Sequence, residues 1–364
     1  MAETSALDRA FRKLPLKAKT RENLLYGFEI SRTLLFTGQM ISLPVVEFLS
    51  RGKTEATSVD LKLHFEVAFQ DLLKLLRTDA RHIQLGYYPV DVLEPENPLK
   101  FWTRYPRILL DGYRVARRRE DKTHHDFDAN SESYFGDVPE YYRRNFHFQT
   151  DGYLSDHSAD LYEHQVEILF SGAADPMRRL LLKPLKEHFG ESDGTGLHFL
   201  EVGAGTGRLT HFLKLAFPQA KITAMDLSEP YLVKARRSLE GRRGVQFMQG
   251  DAADLPFRDE TFDAVVSCFL FHELPREERE KVLKEGVRVL KPGGFSGHVD
   301  SIQLGDAPEL DWGLKQFPVK FHEPFYPNYV QTPLAPMLEA AGLLGVESER
   351  GFFSKVVHGV KAAR

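Results

Sequence analysis

The run Glu201-Val-Gly-Ala-Gly-Thr-Gly207 is the part of this 364-residue chain whose composition and spacing most directly imply chemistry. A short apolar run, 197–202, leads into it, and residues at helical spacing (Leu209, Phe212, Leu213, Ala216) follow it. Glycines at a strand-to-helix junction let the backbone turn tightly and come close to a ligand. Asp226 stands 19 residues after Gly207, at the end of the next apolar run. A carboxylate there can accept hydrogen bonds from both hydroxyls of a ribose. Asp251, in Gln249-Gly-Asp-Ala252 after a third apolar run, can meet the amine of an adenine. The dinucleotide fingerprint G-x-G-x-x-G would place its third glycine at 208. That residue is Arg208 and the glycine falls at 207, which weakens a hydride-transfer reading. The bland alternative is a glycine-bearing turn that binds nothing, and two acids recurring at useful strand ends speak against it.

These residues need a scaffold, and the second half of the chain spells one. Leu197–Val202, Ile222–Met225, Val245–Met248, Phe262–Phe269 and Phe295–Ile302 read as strands separated by helical spacing. Ser228 with Pro230 behind it opens one helix, because serine caps and proline fits the first turn. A helix from about Pro275 should stop at Lys291-Pro-Gly-Gly294. Alternating strands and helices imply right-handed crossovers and a mostly parallel sheet. A helix near 333–341 and a closing pair, 346–351 and 353–360, would add an antiparallel edge strand. Residues 20–120 look helical. Within 58–77, Phe65, Phe69, Leu72, Leu73 and Leu76 share one helix face. Pro89, Pro95, Pro98 and Pro106 predict loop and short helices, 153–171 regains helical spacing at Tyr162, Val166, Leu169 and Phe170, and Pro184 should kink or break the next helix.

Composition bounds the answer. The hydrophobic fraction of 42% and charged fraction of 27% describe a globular chain long enough for full cores. A formal net charge of −4, with neither half strongly basic, argues against nucleic acid as the partner. Cys268 is the only cysteine, which excludes an internal disulfide and a cysteine-based zinc site. The N-terminus lacks the order of a signal peptide. The apolar stretch Leu24–Leu49 carries Glu29, Arg32, Gln39 and Glu47, too many polar groups for a bilayer span. A cytoplasmic protein is expected.

Taken in order, Glu201–Gly207, Asp226, Gly250-Asp-Ala252, Phe262-Asp-Ala-Val-Val-Ser-Cys268 and Leu290-Lys-Pro-Gly-Gly294 resemble class I S-adenosylmethionine-dependent methyltransferases. The texture is most similar to the ubiquinone/menaquinone-biosynthesis branch, over about residues 196–360. The resemblance implies a Rossmann-like α/β sheet of seven strands, the last antiparallel. Residues 151–364 would then form the cofactor domain, with an insert over about 303–330. The helical region 1–150 would cap the site and shape the substrate pocket. The implied cofactor is S-adenosyl-L-methionine. Glu201 would orient its methionine amine, Gly203, Gly205 and Gly207 would give backbone access, and Asp226 would hold the ribose. Asp251 and Ala252 would contact the adenine, with Leu227 packed on that ring.

Methyl transfer from a sulfonium needs alignment, and a base if the acceptor must lose a proton. The resemblance places Cys268-Phe-Leu-Phe-His272-Glu273 beside the cofactor's sulfur, which makes His272 the first general-base candidate. The competing reading is a structural histidine, and Glu273 reads as a solvated or helix-start acid. Inserts such as Phe321-His-Glu-Pro-Phe-Tyr-Pro-Asn-Tyr329 lie over the substrate in that family. His322 is thus a second catalytic candidate, with Glu323, Tyr326 and Tyr329 as polar tips on an aromatic platform. In Tyr141–Tyr153, Tyr153 or His147 could touch the methyl group, while Phe146 and Phe148 read as core. No metal site is expected: Asp126-Phe-Asp-Ala-Asn130 has Ser131 where an EF-hand needs glycine. The basic run Arg117-Arg-Arg119 reads as a solvated helix face, with peripheral membrane contact as its alternative. The acceptor is expected to be small, aromatic, quinone-like or lipid-like. The alternatives are a cofactor-binding protein doing non-methylating chemistry on a quinone, and a non-catalytic partner-binding protein.

Overall fold

The computed structural model describes residues 6–51, 61–95, 98–121 and 123–363. Its centre is a seven-stranded sheet. The strands are β1 (His198–Val202), β2 (Lys221–Asp226), β3 (Val245–Gln249), β4 (Phe262–Cys268), β5 (Leu290–Ser301), β6 (Leu343–Gly351) and β7 (Ser354–Lys361). Their spatial order is β3-β2-β1-β4-β5-β7-β6. The pairs from β3 through β5 are parallel, and β7 runs antiparallel to both neighbours. The order reverses between β1 and β4, and the crevice outside the strand ends at such a point is where open α/β sheets hold ligands.

Three expectations need correction. The antiparallel strand is interior, and β6 forms the edge. Val356 and Val357 of β7 are fully buried, whereas β6 is largely exposed, so the more apolar strand takes the doubly covered place. Second, the helix stops before Lys291-Pro-Gly-Gly294 as expected, but the fifth strand starts at Leu290 and not at Phe295. Helix Arg276–Val289 ends one residue before β5, where Leu290 already pairs with Phe262. The glycines make an irregularity inside β5, with Gly293 at φ +73°. Third, Pro106 sits inside helix Pro98–Asp121, and Pro184 lies in the first turn of helix Leu182–Phe189. In a first turn the missing N–H has no intrahelical partner to lose, so Pro184 helps start its helix.

The helices before the sheet share its core. Leu25, Leu72, Leu75, Leu76 and Ile83 pack in one cluster with Leu181, Phe199, Phe212 and Val356. Phe69 departs from the face assigned to it and is exposed; the Phe65 side chain lies outside the described residues. Among the described residues no helix is long and apolar enough to cross a membrane. The polar interruptions of helix Ala18–Arg51 have a packing explanation, Glu47 lying outside the described side chains. Glu29 and Asp79 both meet the fully buried Arg179, at 2.9 and 2.6 Å. Arg32 bonds Glu167 and Asp175 at 2.6 and 3.1 Å, and Gln39 meets His164 at 2.9 Å. Burial outweighs Arg179 at Glu29 and holds that carboxyl up at about 8. Removing the guanidinium strands a buried Asp79 charge. Arg179→Met should therefore lower unfolding stability by about 3 kcal/mol or more, read from urea unfolding, despite similar side-chain volume.

Candidate functional site

The C-terminal ends of β1 to β4 border an open pocket of about 950 Å³, the solvent space at its mouth included. Gly203, at φ +68°, follows β1, and a Cβ there would stand 3.0 Å from Leu270 Cδ1. Gly250, after β3, would set a Cβ 3.0 Å from Met225 Sδ. A side chain at Gly203 would press on Leu270 of the crevice wall, and one at Gly250 would clash with the core residue Met225. Gly205 donates its N–H to Asp226 Oδ2 at 2.7 Å, and Ser228 N–H bonds Oδ1 at 2.8 Å. Each oxygen keeps lone-pair capacity for a further donor, as a pair of ribose hydroxyls requires. Burial raises the Asp226 carboxyl to about 6, against the backbone bonds from Ser228 and Gly205.

At the other end, Glu201 is buried and accepts from Thr210 Oγ1 at 2.5 Å. Burial pushes its carboxyl up to about 8, so a cationic ligand group beside it would be bound by drawing it back to the charged form. Arg178 also lines the cavity and pairs with Glu163 at 3.0 Å. A guanidinium next to a carboxyl that binds cations suits a zwitterionic ligand end. Cys268 is a wall atom, its thiol kept well above its usual range by burial. Asp251, Ala252 and Leu227 line the opposite end. The donor set and the glycine cradle fit S-adenosylmethionine.

The segment preceding the core closes over this cavity. Tyr141, Tyr142 and Tyr153 line it. Phe146 is fully buried and stacks on Tyr153 with ring centres 5.3 Å apart. Ser228 Oγ, the cap of helix Glu229–Ser238, donates to the Tyr153 carbonyl at 2.5 Å. The cofactor cavity and its cover are thus joined at one serine.

A second cavity, about 890 Å³ with the open solvent at its mouth included, lies against the first and shares Tyr162, Phe269 and Glu273 with it. Val166, Leu169, Phe170, Leu314, Phe317 and Phe353 give it an apolar wall. Its polar side is His272, Glu273, Ser301 and Tyr326, with His147 at the lip. His272 Nδ1 meets Asp300 Oδ1 at 2.6 Å, while Asp300 Oδ2 accepts the Phe271 N–H at 2.7 Å. The carboxylate thereby fixes the ring and directs Nε2 away from itself. Burial pulls the His272 imidazole down, but the charge and hydrogen bond of Asp300 prevail and raise it to about 9. His272 Nε2 stands 3.8 Å from Glu273 Oε1, too far for a direct hydrogen bond. A hydroxyl between them could bond both. Tyr153 donates its hydroxyl to Glu273.

Most of the residues singled out in sequence line one of these two cavities, but Gly207, His322, Glu323 and Tyr329 do not. Gly207 does not line the cofactor cavity. It caps helix Arg208–Ala216 at φ +80°, and a Cβ there would lie 3.0 Å from Leu239 Cδ1 and 3.1 Å from Ala235 Cβ. Its glycine serves the packing of two helices. His322 lines neither cavity; its ring stacks on His124 at 4.3 Å, and its carbonyl accepts the His147 N–H. Burial holds its imidazole down at about 4. Glu273 is no solvated acid, because both cavities meet at it. The insert reaches the second cavity through Phe317 and Tyr326, whereas Tyr329 is buried and bonds the Ser301 carbonyl at 2.7 Å. Phe148 lies outside the described side chains. Sequence reasoning missed Arg178, Glu163, Tyr231 and Asp300. A clue to Asp300 was available: it ends an apolar strand with a lone acid, as Asp226 does.

Residues 199–294 match the family model described as a methyltransferase domain. Among curated relatives, a fatty-acid O-methyltransferase of Mycolicibacterium smegmatis is 34% identical over 147 residues, 40% of this chain and 53% of that protein. A demethylmenaquinone methyltransferase of Clavibacter sepedonicus is 44% identical over 99 residues, 27% and 39% of the two chains. A second demethylmenaquinone methyltransferase, from Thermus thermophilus, is 43% identical over 96 residues, 26% and 43%. The chain spans about half the length, or less, of these relatives.

Proposed function

We propose that this chain, built on a class I S-adenosylmethionine-dependent methyltransferase core, methylates a small acceptor with an apolar body and a protic head group. The carrying observation is the second cavity, apolar along its length and meeting the first at Glu273, with the His272–Asp300 pair beside it. When bound, S-adenosylmethionine supplies an electrophilic methyl group. Asp226 accepts the ribose hydroxyls, and Leu227, Asp251 and Ala252 surround the adenine. Glu201 and Arg178 hold the amine and carboxylate of the methionine end. Gly203 and Gly205 leave room for the ligand at the turn.

The acceptor's head group lies between His272 Nε2 and Glu273, and its proton passes to Nε2. Asp300 positions the ring and stabilises the imidazolium that results. Tyr153 and Tyr162 close the junction against water. Relatives named for fatty-acid and quinone substrates support a lipid-like or ring-bearing acceptor. The test is methyl-labelled S-adenosylmethionine with a panel of fatty acids, naphthoquinols and phenols. Label in the organic extract with at least one class supports the reading. Unchanged cofactor with every class, while the protein binds S-adenosylhomocysteine, overturns it.

The wall of the second cavity offers a further check. Gly313 lies in helix Asp311–Lys320, and the nearest atom to a Cβ there is Phe353 Cε1 at 3.8 Å. Gly313→Leu puts an isobutyl group into the acceptor's space at ordinary helical geometry. The acceptor KM should rise about tenfold, a loss of about 1.4 kcal/mol, with S-adenosylhomocysteine affinity unchanged. An unaltered KM would show that the acceptor lies elsewhere.

A further inference from the structure

His147, Glu273 and Glu323 converge from three segments with no motif spacing to announce them. One donor atom from each lies within 4.8 Å of the other two. His147 Nδ1 is 2.9 Å from Glu323 Oε1, and Nε2 is 3.5 Å from Glu273 Oε1. The Glu323 side chain is wholly buried. Its Oε2 has no hydrogen-bond partner among the described residues. A buried carboxylate oxygen without a donor is costly, and a cation is the species that relieves it. The charge count agrees. Two carboxylates facing one imidazole leave the group a unit negative even with the ring protonated. A divalent ion on a neutral imidazole and two carboxylates brings it to zero.

We propose that His147, Glu273 and Glu323 bind a divalent metal ion of the Mn²⁺ or Zn²⁺ type. One imidazole with two carboxylates is a hard-to-borderline donor set, which suits these ions and excludes a preference for Cu⁺. Donors around such an ion at about 2.1 Å stand about 3 to 3.5 Å apart. Only one ring nitrogen can bind the ion: Nδ1 stands 2.9 Å from Glu323, close to that range, while Glu273 lies 3.5 Å from Nε2 and its carboxylate must turn to reach an ion at Nδ1. The Tyr153 hydroxyl, 3.0 Å from His147 Nε2 and bonded to Glu273, orients two of the ligands from behind. Three protein ligands leave coordination positions open. His147 and Glu273 both line the second cavity, so those positions face the acceptor. An acceptor oxygen bound there would be held by the ion, next to the methyl-transfer junction.

The site itself does not depend on methyl transfer, and its test is metal binding alone. The purified full chain is titrated with MnCl₂, free Mn²⁺ being read by electron paramagnetic resonance, and ZnSO₄ is then added in competition. One Mn²⁺ per chain, displaced by Zn²⁺, is expected. Affinity should fall about 100-fold in Glu323→Gln and in His147→Gln. Calorimetric S-adenosylhomocysteine binding reports whether each variant is folded. Absence of a stoichiometric ion, or binding that both variants leave untouched, overturns the proposal. Stoichiometric Mn²⁺ in a chain that fails to methylate any acceptor leaves the metal site standing and sinks only the methyl-transfer reading.

Discussion

Asp226→Ala is expected to weaken S-adenosylhomocysteine binding by about 100-fold or more, measured by calorimetry. The carboxylate does two things at once. It would take both ribose hydroxyls, and it already bonds the N–H groups of Gly205 and Ser228 at 2.7 and 2.8 Å. Charge-assisted hydrogen bonds of this kind contribute about 1.5–3 kcal/mol each, so losing two amounts to two orders of magnitude or more. The glycine turn also loses its anchor, so part of the loss is preorganisation. Asp226→Asn, which keeps one acceptor oxygen, should fall between parent and alanine variant. The ribose needs the ionised form, and Asp226 sits at about 6 in the free protein. Affinity should therefore be flat above about pH 7 and decline through pH 6. A parent-like affinity in Asp226→Ala would remove the crevice between β1 and β4 as the cofactor site.

His272→Ala should leave that affinity nearly unchanged while lowering kcat by about 10²- to 10⁴-fold, the usual contribution of a positioned base. The pH profile separates this from a structural role. With its imidazole at about 9, only about one per cent of His272 is neutral at pH 7. The rate should climb tenfold per pH unit from 7 and level off above 9. In Asp300→Asn the charge that raises the imidazole is gone. The break then moves down toward the ordinary histidine value, and the plateau falls because the weaker base is also less firmly oriented. A structural His272 would lower activity at all pH values without moving the break. A profile already flat between pH 7 and 9 in the parent would assign the proton to another group, Glu273 first.

The crevice at the ends of β1 to β4 was legible because its signals are local. A glycine turn and a lone acid after an apolar run are each written within a few residues, and the parallel sheet places successive strand ends side by side without further instruction. The same reasoning overreached at Gly207. A glycine required by a ligand and a glycine required by a neighbouring helix look alike in one dimension, and only the approach of Leu239 and Ala235 tells them apart. The last strand is antiparallel as expected, but it was placed at the edge, because two strands of a closing hairpin can be ordered either way until their burial is known.

The second cavity was not written locally. His272 meets Asp300 across 28 residues, and Tyr153 meets Glu273 across 120. His322 looked as eligible as His272 in sequence, yet one faces Asp300 and a cavity and the other stacks on His124. The sequence by itself determined the fold class, the crevice at the ends of β1 and β4 and the acid in it, since short-range backbone preferences and strand periodicity suffice for these. Tertiary structure alone decided which histidine is held by a carboxylate, that Glu273 joins two cavities, and that Glu323 is buried beside His147. A side chain's protonation and reach depend on what packs around it, and those neighbours come from distant parts of the chain.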